Sequence, residues 1–226
     1  MKRAYWDPTI ASRYPILSRL SSRFRARRAA EFIKRLNVDA NKRILDVGGE
    51  PYFWESFPVQ CGVVCLNLHS MVSRSPRVAV ETYDGMRLPY DDKAFDIVFS
   101  NSVIEHVGDF NAQRLFAREI TRVGRHYWVQ VPNFFFPYEP HAHLPFFQFL
   151  PANTKLWILQ WWRRAGYGID DMLSVRLLTA RELRYFFPGC AIYRERFFGL
   201  TKSLCAYTGG DATNAQPYPV ASATVA

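Results

Sequence analysis

Two stretches of the chain hold residue types and spacings that could do chemistry. The first is Glu139-Pro140-His141-Ala142-His143. A histidine titrates near neutrality and can take a proton from an acceptor group, with a carboxylate beside it to orient the ring. Glu139, His141 and His143 are also types that first-row metals accept. No further ligand at metal-binding spacing follows, so no metal is assigned. A loop stiffened by Pro137, Pro140 and Pro145, with no chemistry of its own, is the third reading of the same residues.

The second stretch is Asp46-Val47-Gly48-Gly49-Glu50, at the end of the apolar run Ile44-Leu45. Glycine lets a backbone approach a ligand closely, and neighbouring carboxylates favour a cationic group. A dinucleotide fingerprint needs G-x-G-x-x-G opening a helix whose N-terminus faces a pyrophosphate. Gly48-Gly49-Glu50-Pro51 instead puts a carboxylate where phosphate would lie. The expected ligand is therefore cationic rather than a diphosphate.

Positioning these residues requires a sheet. Ile44–Val47, Val63–Leu66, Val78–Val80, Phe95–Phe99 and Tyr127–Val131 read as five buried strands, the last stopped by Pro132. Helices are expected from Ser21 or Ser22, as cap, to about Leu36, and from about Asn111 to Val123, closed by Gly124. Near-continuous apolar strands alternating with helices indicate a parallel sheet covered on both faces. A helix from Thr154 to Arg164 carries Trp157, Trp161 and Trp162. Thr179-Ala180-Arg181-Glu182 is a capping box opening another. Two late runs, Ala191–Phe198 and Ser203–Tyr207, read as a hairpin turning at Gly199–Lys202. The expected fold is α/β: a Rossmann-like, doubly wound sheet of seven strands, mostly parallel, with an antiparallel C-terminal hairpin strand. Residues 1–42 form a basic helical arm and 43–208 the main domain, with an aromatic and proline-rich insert at 133–174. Residues 209–226 form a tail without hydrophobic period.

The chain has 226 residues and a formal net charge of +9. That charge lies wholly in residues 1–43, which hold twelve Lys/Arg and three Asp/Glu, while the remainder balances at seventeen of each. A neutral body offers no basic groove, so nucleic acid is not the expected partner. Four cysteines without a close-spaced framework suggest buried thiols and a reducing cytosol. No eighteen-residue apolar stretch occurs, and Trp6-Asp7-Pro8 stands where a secretory signal would need an apolar core. The expected location is cytoplasmic, with the basic arm and the tryptophan helix offering peripheral contact to the inner face of a membrane.

Asp84-Gly85-Met86-Arg87-Leu88-Pro89, then Phe95-Asp96-Ile97-Val98, then Ser100-Asn101-Ser102-Val103-Ile104-Glu105-His106-Val107 follow one another in order. With the glycine turn, this resembles the class I S-adenosylmethionine-dependent methyltransferases, especially those acting on small molecules, over about residues 40–131. The resemblance implies S-adenosylmethionine as cofactor. It implies that Asp46 helps hold the methionine amino group and that the cofactor lies over Gly48, with Gly49 beside it and Glu50 as a compensating cofactor contact for the altered turn. It places Asp84 at the adenine amino group with Gly85 and Met86 beside the ring, and Asn101 and Ser102 beneath the methionyl part. The family usually continues G-x-G-x-G after the first acid and carries an acid at the end of strand two. Here Gly49-Glu50-Pro51 and Asn67 stand instead, and an amide lacks a charge-assisted bidentate acceptor for ribose hydroxyls.

The implied function is O- or N-methylation of a small-molecule or lipid-linked acceptor by in-line displacement. Glu139, His141 and His143 are the catalytic candidates for removing the acceptor's proton. Two other classes stay open: a non-catalytic methyltransferase-like binding module, motivated by the altered turn and Asn67, and an RNA methyltransferase, motivated by the arm alone. Glu105 and His106 either open a helix or line the site.

Overall fold

The structure, a computed structural model, describes residues 15–83, 85–164, 172 and 175–208, with side chains from Ser22 onward. Five strands run parallel: β1 (Arg43–Val47), β2 (Gly62–Asn67), β3 (Val78–Thr82), β4 (Phe95–Asn101) and β5 (Gly124–Pro132). A two-stranded ribbon of β6 (Tyr138–Glu139) and β7 (Leu144–Pro145) follows. The hairpin β8 (Ala191–Phe197) and β9 (Leu200–Tyr207) then returns, with β9 antiparallel to β5. The main sheet has seven strands in the order β3-β2-β1-β4-β5-β9-β8, as the alternation of apolar runs and helices predicts. Chain order reverses between β1 and β4, and the crevice at their carboxyl ends is where such a sheet receives ligands.

Five helices complete the described fold: α1 (Pro15–Leu36), α2 (Pro51–Glu55), α3 (Phe110–Val123), α4 (Ala152–Arg164) and α5 (Ala180–Phe186). Side chains alternate across β1: Ile44 faces a core built with Phe32 of α1 and Trp54 of α2, and Leu45 and Val47 face one built with Ile120 of α3 and Leu183 of α5. Phe32 is fully buried, its ring 5.0 Å from that of Phe99 and 5.6 Å from that of Trp128. It thereby anchors the basic helix to the sheet. The cysteines are free thiols, and burial pushes all four above their ordinary range.

Several local expectations shift. Ser21 and Ser22 lie inside α1, whose described part begins at Pro15. Asp109 caps α3, accepting the Ala112 N–H at 2.9 Å, so the helix begins at Phe110, one residue ahead of the expected start. Gly124 closes α3 as expected, donating its N–H to the Ile120 carbonyl, and in extended conformation it also opens β5. The hairpin turns at Phe198-Gly199, with φ of +46° and +80°. That pair of left-handed residues is what a two-residue turn between twisted strands needs. The capping box at Thr179 forms as expected, with both reciprocal bonds to Glu182. The helix α2 was not foreseen; five residues are too few to show a period. The expected tail, residues 209–226, lies outside the described residues.

Candidate active site

The glycine turn sits at the β1 end of the crevice. Gly48 has φ +78° and donates its N–H to the Leu66 carbonyl at 2.7 Å. A Cβ there would fall 2.6 Å from Val103 Cγ2, and one on Gly49 would strike the Asp46 carboxylate. Asp46 is only 2% exposed. Its Oδ2 accepts from Trp54 Nε1 at 2.6 Å, and its Oδ1 has no partner. Burial pushes its pKa up to about 7, against the Trp54 hydrogen bond and with help from the Glu50 charge. Asn67 uses both ends of its amide on the backbone, donating to the Gly49 carbonyl at 3.1 Å and accepting from Leu68 N–H at 2.8 Å. In this conformation it braces the turn.

At the ends of β4 and β5, Ser102 stands in the left-handed region (φ +57°) and donates to Gln130 Oε1 at 2.9 Å. Arg28 of α1 reaches over this edge. It donates to Asn101 Oδ1 at 2.6 Å and Gln130 Oε1 at 3.1 Å, and its other nitrogens pair with Glu195 of β8. So one arginine of the basic helix is part of the crevice. Met86 is half exposed and the Gly85 Cβ position is open, while Asp84 lies outside the described residues.

The segment from Asn101 to His106 leads from this edge to a second group of side chains. Glu105 and His106 lie on a 3-10 turn, Ile104–His106, ahead of α3. Glu105 is 0% exposed, and neither carboxylate oxygen makes a hydrogen bond of good geometry. Burial pushes its pKa up to about 7, partly offset by the nearby His141 ring and Ser102 hydroxyl. The His106 and His141 rings meet edge to face at 4.9 Å. His141 Nδ1 lies 2.6 Å from Glu139 Oε1, and the other Glu139 oxygen accepts the Ala142 N–H. His143 is turned away on its own left-handed residue (φ +53°), its Nδ1 3.1 Å from the Tyr138 hydroxyl. Of the two readings the sequence offered for Glu105 and His106, a helix start or a place lining the site, the 3-10 turn holds both: it begins the turn ahead of α3 and brings them to His141. A cavity of about 460 Å³ adjoins this group, lined by Phe134, Glu139, His141, Gln148, Met172 and Arg176.

Comparison with known proteins bears on this geometry. Residues 59–126 match a family described as a methyltransferase domain. A chain from the complex of the Haloferax volcanii Trm112 methyltransferase activator with a methyltransferase superposes with a TM-score of 0.50 at 14% identity, over 81% of this chain and 88% of that one. The family match is thus confined to residues 59–126, and the sheet order and superposition show a Rossmann-like methyltransferase fold. An S-adenosylmethionine-dependent methyltransferase from Aquifex aeolicus gives a TM-score of 0.47 at 12% identity, over 79% and 87% of the two chains. An uncharacterized protein of Mycobacterium tuberculosis, in strains CDC 1551 and H37Rv, is 38% identical over 112 residues, which is 47% of this chain and 37% of that protein. The chain thus spans little more than a third of the length of these curated relatives.

S-adenosylmethionine is the cofactor of this family. The glycine turn fits it in two respects: Gly48 keeps a cradle that a Cβ would fill, and Asp46 holds a buried carboxylate oxygen without a partner beside it. Carboxylates at Asp46 and Glu50 suit a cation, as the turn's chemistry requires.

Proposed function

We propose that the chain transfers a methyl group from S-adenosylmethionine to a small-molecule or lipid-linked acceptor held beside Glu139 and His141. The observation that carries this is the segment Asn101–His106. It touches the glycine turn through Val103 and the histidine group through His106, so it spans the distance between a cofactor and an acceptor. When bound, the cofactor supplies an electrophilic methyl group on a sulfonium.

The protein's own residues account for the rest. Gly48 and Gly49 admit close approach to the β1 end, and Asp46 with Glu50 supplies negative charge for the methionine ammonium. Asn67 holds the turn in shape. Asp84, Gly85 and Met86 are assigned to the adenine, and Asn101 and Ser102 to the methionyl part. Glu139 fixes the His141 ring through Nδ1, and the ring so held is assigned to easing the loss of the acceptor's proton. Holding an acceptor in line and easing that proton's loss supplies most of the acceleration such a displacement needs.

A lipid-linked acceptor is supported by the insert. Trp157 and Trp161 are 68% and 60% exposed on α4, with Leu156 beside them and Arg163-Arg164 closing the helix. Exposed aromatics flanked by arginine suit the boundary of an anionic lipid layer.

The test is a methyl-donor assay with isotopically labelled cofactor against metabolite and lipid extracts, followed by mass spectrometry of labelled products. The expected result is a labelled product lost in His141→Ala. Cofactor binding with no labelled product from any extract would favour a binding module.

A further inference from the structure

We propose that Glu105, His106 and His141 form a binding site for one divalent first-row metal ion, with Glu139 supporting His141 from the second side of its ring. The ligand atoms of the three residues already lie within 4.8 Å of one another. A tetrahedral zinc with ligands near 2.0–2.1 Å sets them about 3.3 Å apart, which small side-chain rotations reach.

Burial makes Glu105 the informative member. A carboxylate taken fully out of water without hydrogen bonds is costly, and such groups are ordinarily paired or bound to a metal. Neither of its oxygens has a hydrogen bond of good geometry, and His106 and His141 bring ligand nitrogens within 4.8 Å of it, with the Ser102 hydroxyl and the Glu139 carboxylate also nearby. Two histidines and one carboxylate form a donor set that zinc and iron(II) both accept, with positions left open for an exogenous ligand. The Glu139 Oε1 to His141 Nδ1 contact is the usual outer support of a metal-bound histidine, since it fixes the tautomer and turns Nε2 toward the ion. This set differs from the loop set Glu139, His141 and His143, because His143 is committed to Tyr138.

The site deepens the acceptor reading above and rests on it for the identity of the second ligand. His141 and Glu139 line the cavity, so an open coordination position there faces the acceptor. The ligand class that fits is an oxygen donor, a hydroxyl or a pair of adjacent hydroxyls, whose proton a bound metal makes easier to lose.

The experiment uses the full chain, stripped with chelator and titrated with Co²⁺ followed by Zn²⁺ competition. Visible absorption and metal content by mass spectrometry are the readouts. One ion per chain is expected, with binding weakened at least about 100-fold in Glu105→Gln or His141→Ala, about 10–100-fold in Glu139→Gln, and unchanged in His69→Ala. Glu105→Gln keeps the side chain's shape, and His106→Gln serves as a second ligand variant if it unfolds. No stoichiometric binding overturns the proposal, as does binding lost in His143→Ala but kept in Glu105→Gln. Calorimetry with S-adenosylmethionine on the stripped protein separates the two readings. Ion without cofactor removes the methyltransferase reading alone, and cofactor without ion removes the metal site alone.

Discussion

Arg28 of α1 and Glu195 of β8 meet at 3.0 Å, although they lie near opposite ends of the chain. Glu195 is buried and also accepts from Ser203 Oγ at 2.8 Å. The pair ties the basic helix to the far edge of the sheet, and the same guanidinium holds Asn101 and Gln130 at the crevice. Removing one partner strands a buried charge. Arg28→Ala is expected to cost about 3–5 kcal/mol in chemical unfolding. The Arg28→Met/Glu195→Leu double variant should cost clearly less than Arg28→Ala, because it leaves no unpaired charge.

Phe32 makes a second, apolar anchor for the same helix. Phe32→Ala leaves a cavity among Trp54, Phe57, Phe99 and Trp128. The expected loss is about 3–5 kcal/mol, read as a lower denaturation midpoint with an unchanged slope.

The architecture was legible because parallel strands buried on both faces write themselves as unbroken apolar runs, such as Ile44–Val47 and Phe95–Phe99. Thr179 and Glu182 were legible because a capping box is local. The hairpin turn was misplaced because Phe198 adopts a positive φ that sequence assigns to glycine first. Trp157 and Trp161 could not be placed from pattern, since α4 is apolar on nearly every side. The meeting of Glu105 and His106 with His141 was not legible at all: it depends on how the chain beyond β5 folds back over the end of β4. Asn67, read as a weak ribose ligand, braces the turn in this conformation, a role that only its two backbone hydrogen bonds reveal.

Asp46 gives a pH dependence of definite sign. Its pKa in the folded chain is raised from 3.8 to about 7. The folded state therefore holds its proton more tightly than the unfolded state does. Stability from this group is full below about pH 3.8 and is lost as pH rises through 7. The linked change is on the order of 4 kcal/mol. In Asp46→Asn that component disappears, so the variant should gain stability relative to the parent between pH 4 and 7. Urea unfolding of both proteins across that window checks it.

Exposed aromatics on α4 give a membrane prediction. Vesicles containing anionic lipid should bind the protein more strongly than neutral ones, and salt should weaken the binding. Trp157→Ser/Trp161→Ser is expected to reduce vesicle binding about 10-fold or more without changing thermal stability, since both side chains face solvent.

The glycine turn bears on the central claim. Gly48→Ala adds a Cβ into Val103 at a left-handed φ, a strain of about 1–3 kcal/mol at the place where the cofactor is to lie. The most direct measurement is calorimetric titration of the folded chain with S-adenosylmethionine, alongside Gly48→Ala. Binding at one site, tighter than about 1 mM and weakened at least about 10-fold by the substitution, is the predicted result. A folded protein that shows no binding at about 1 mM cofactor contradicts it.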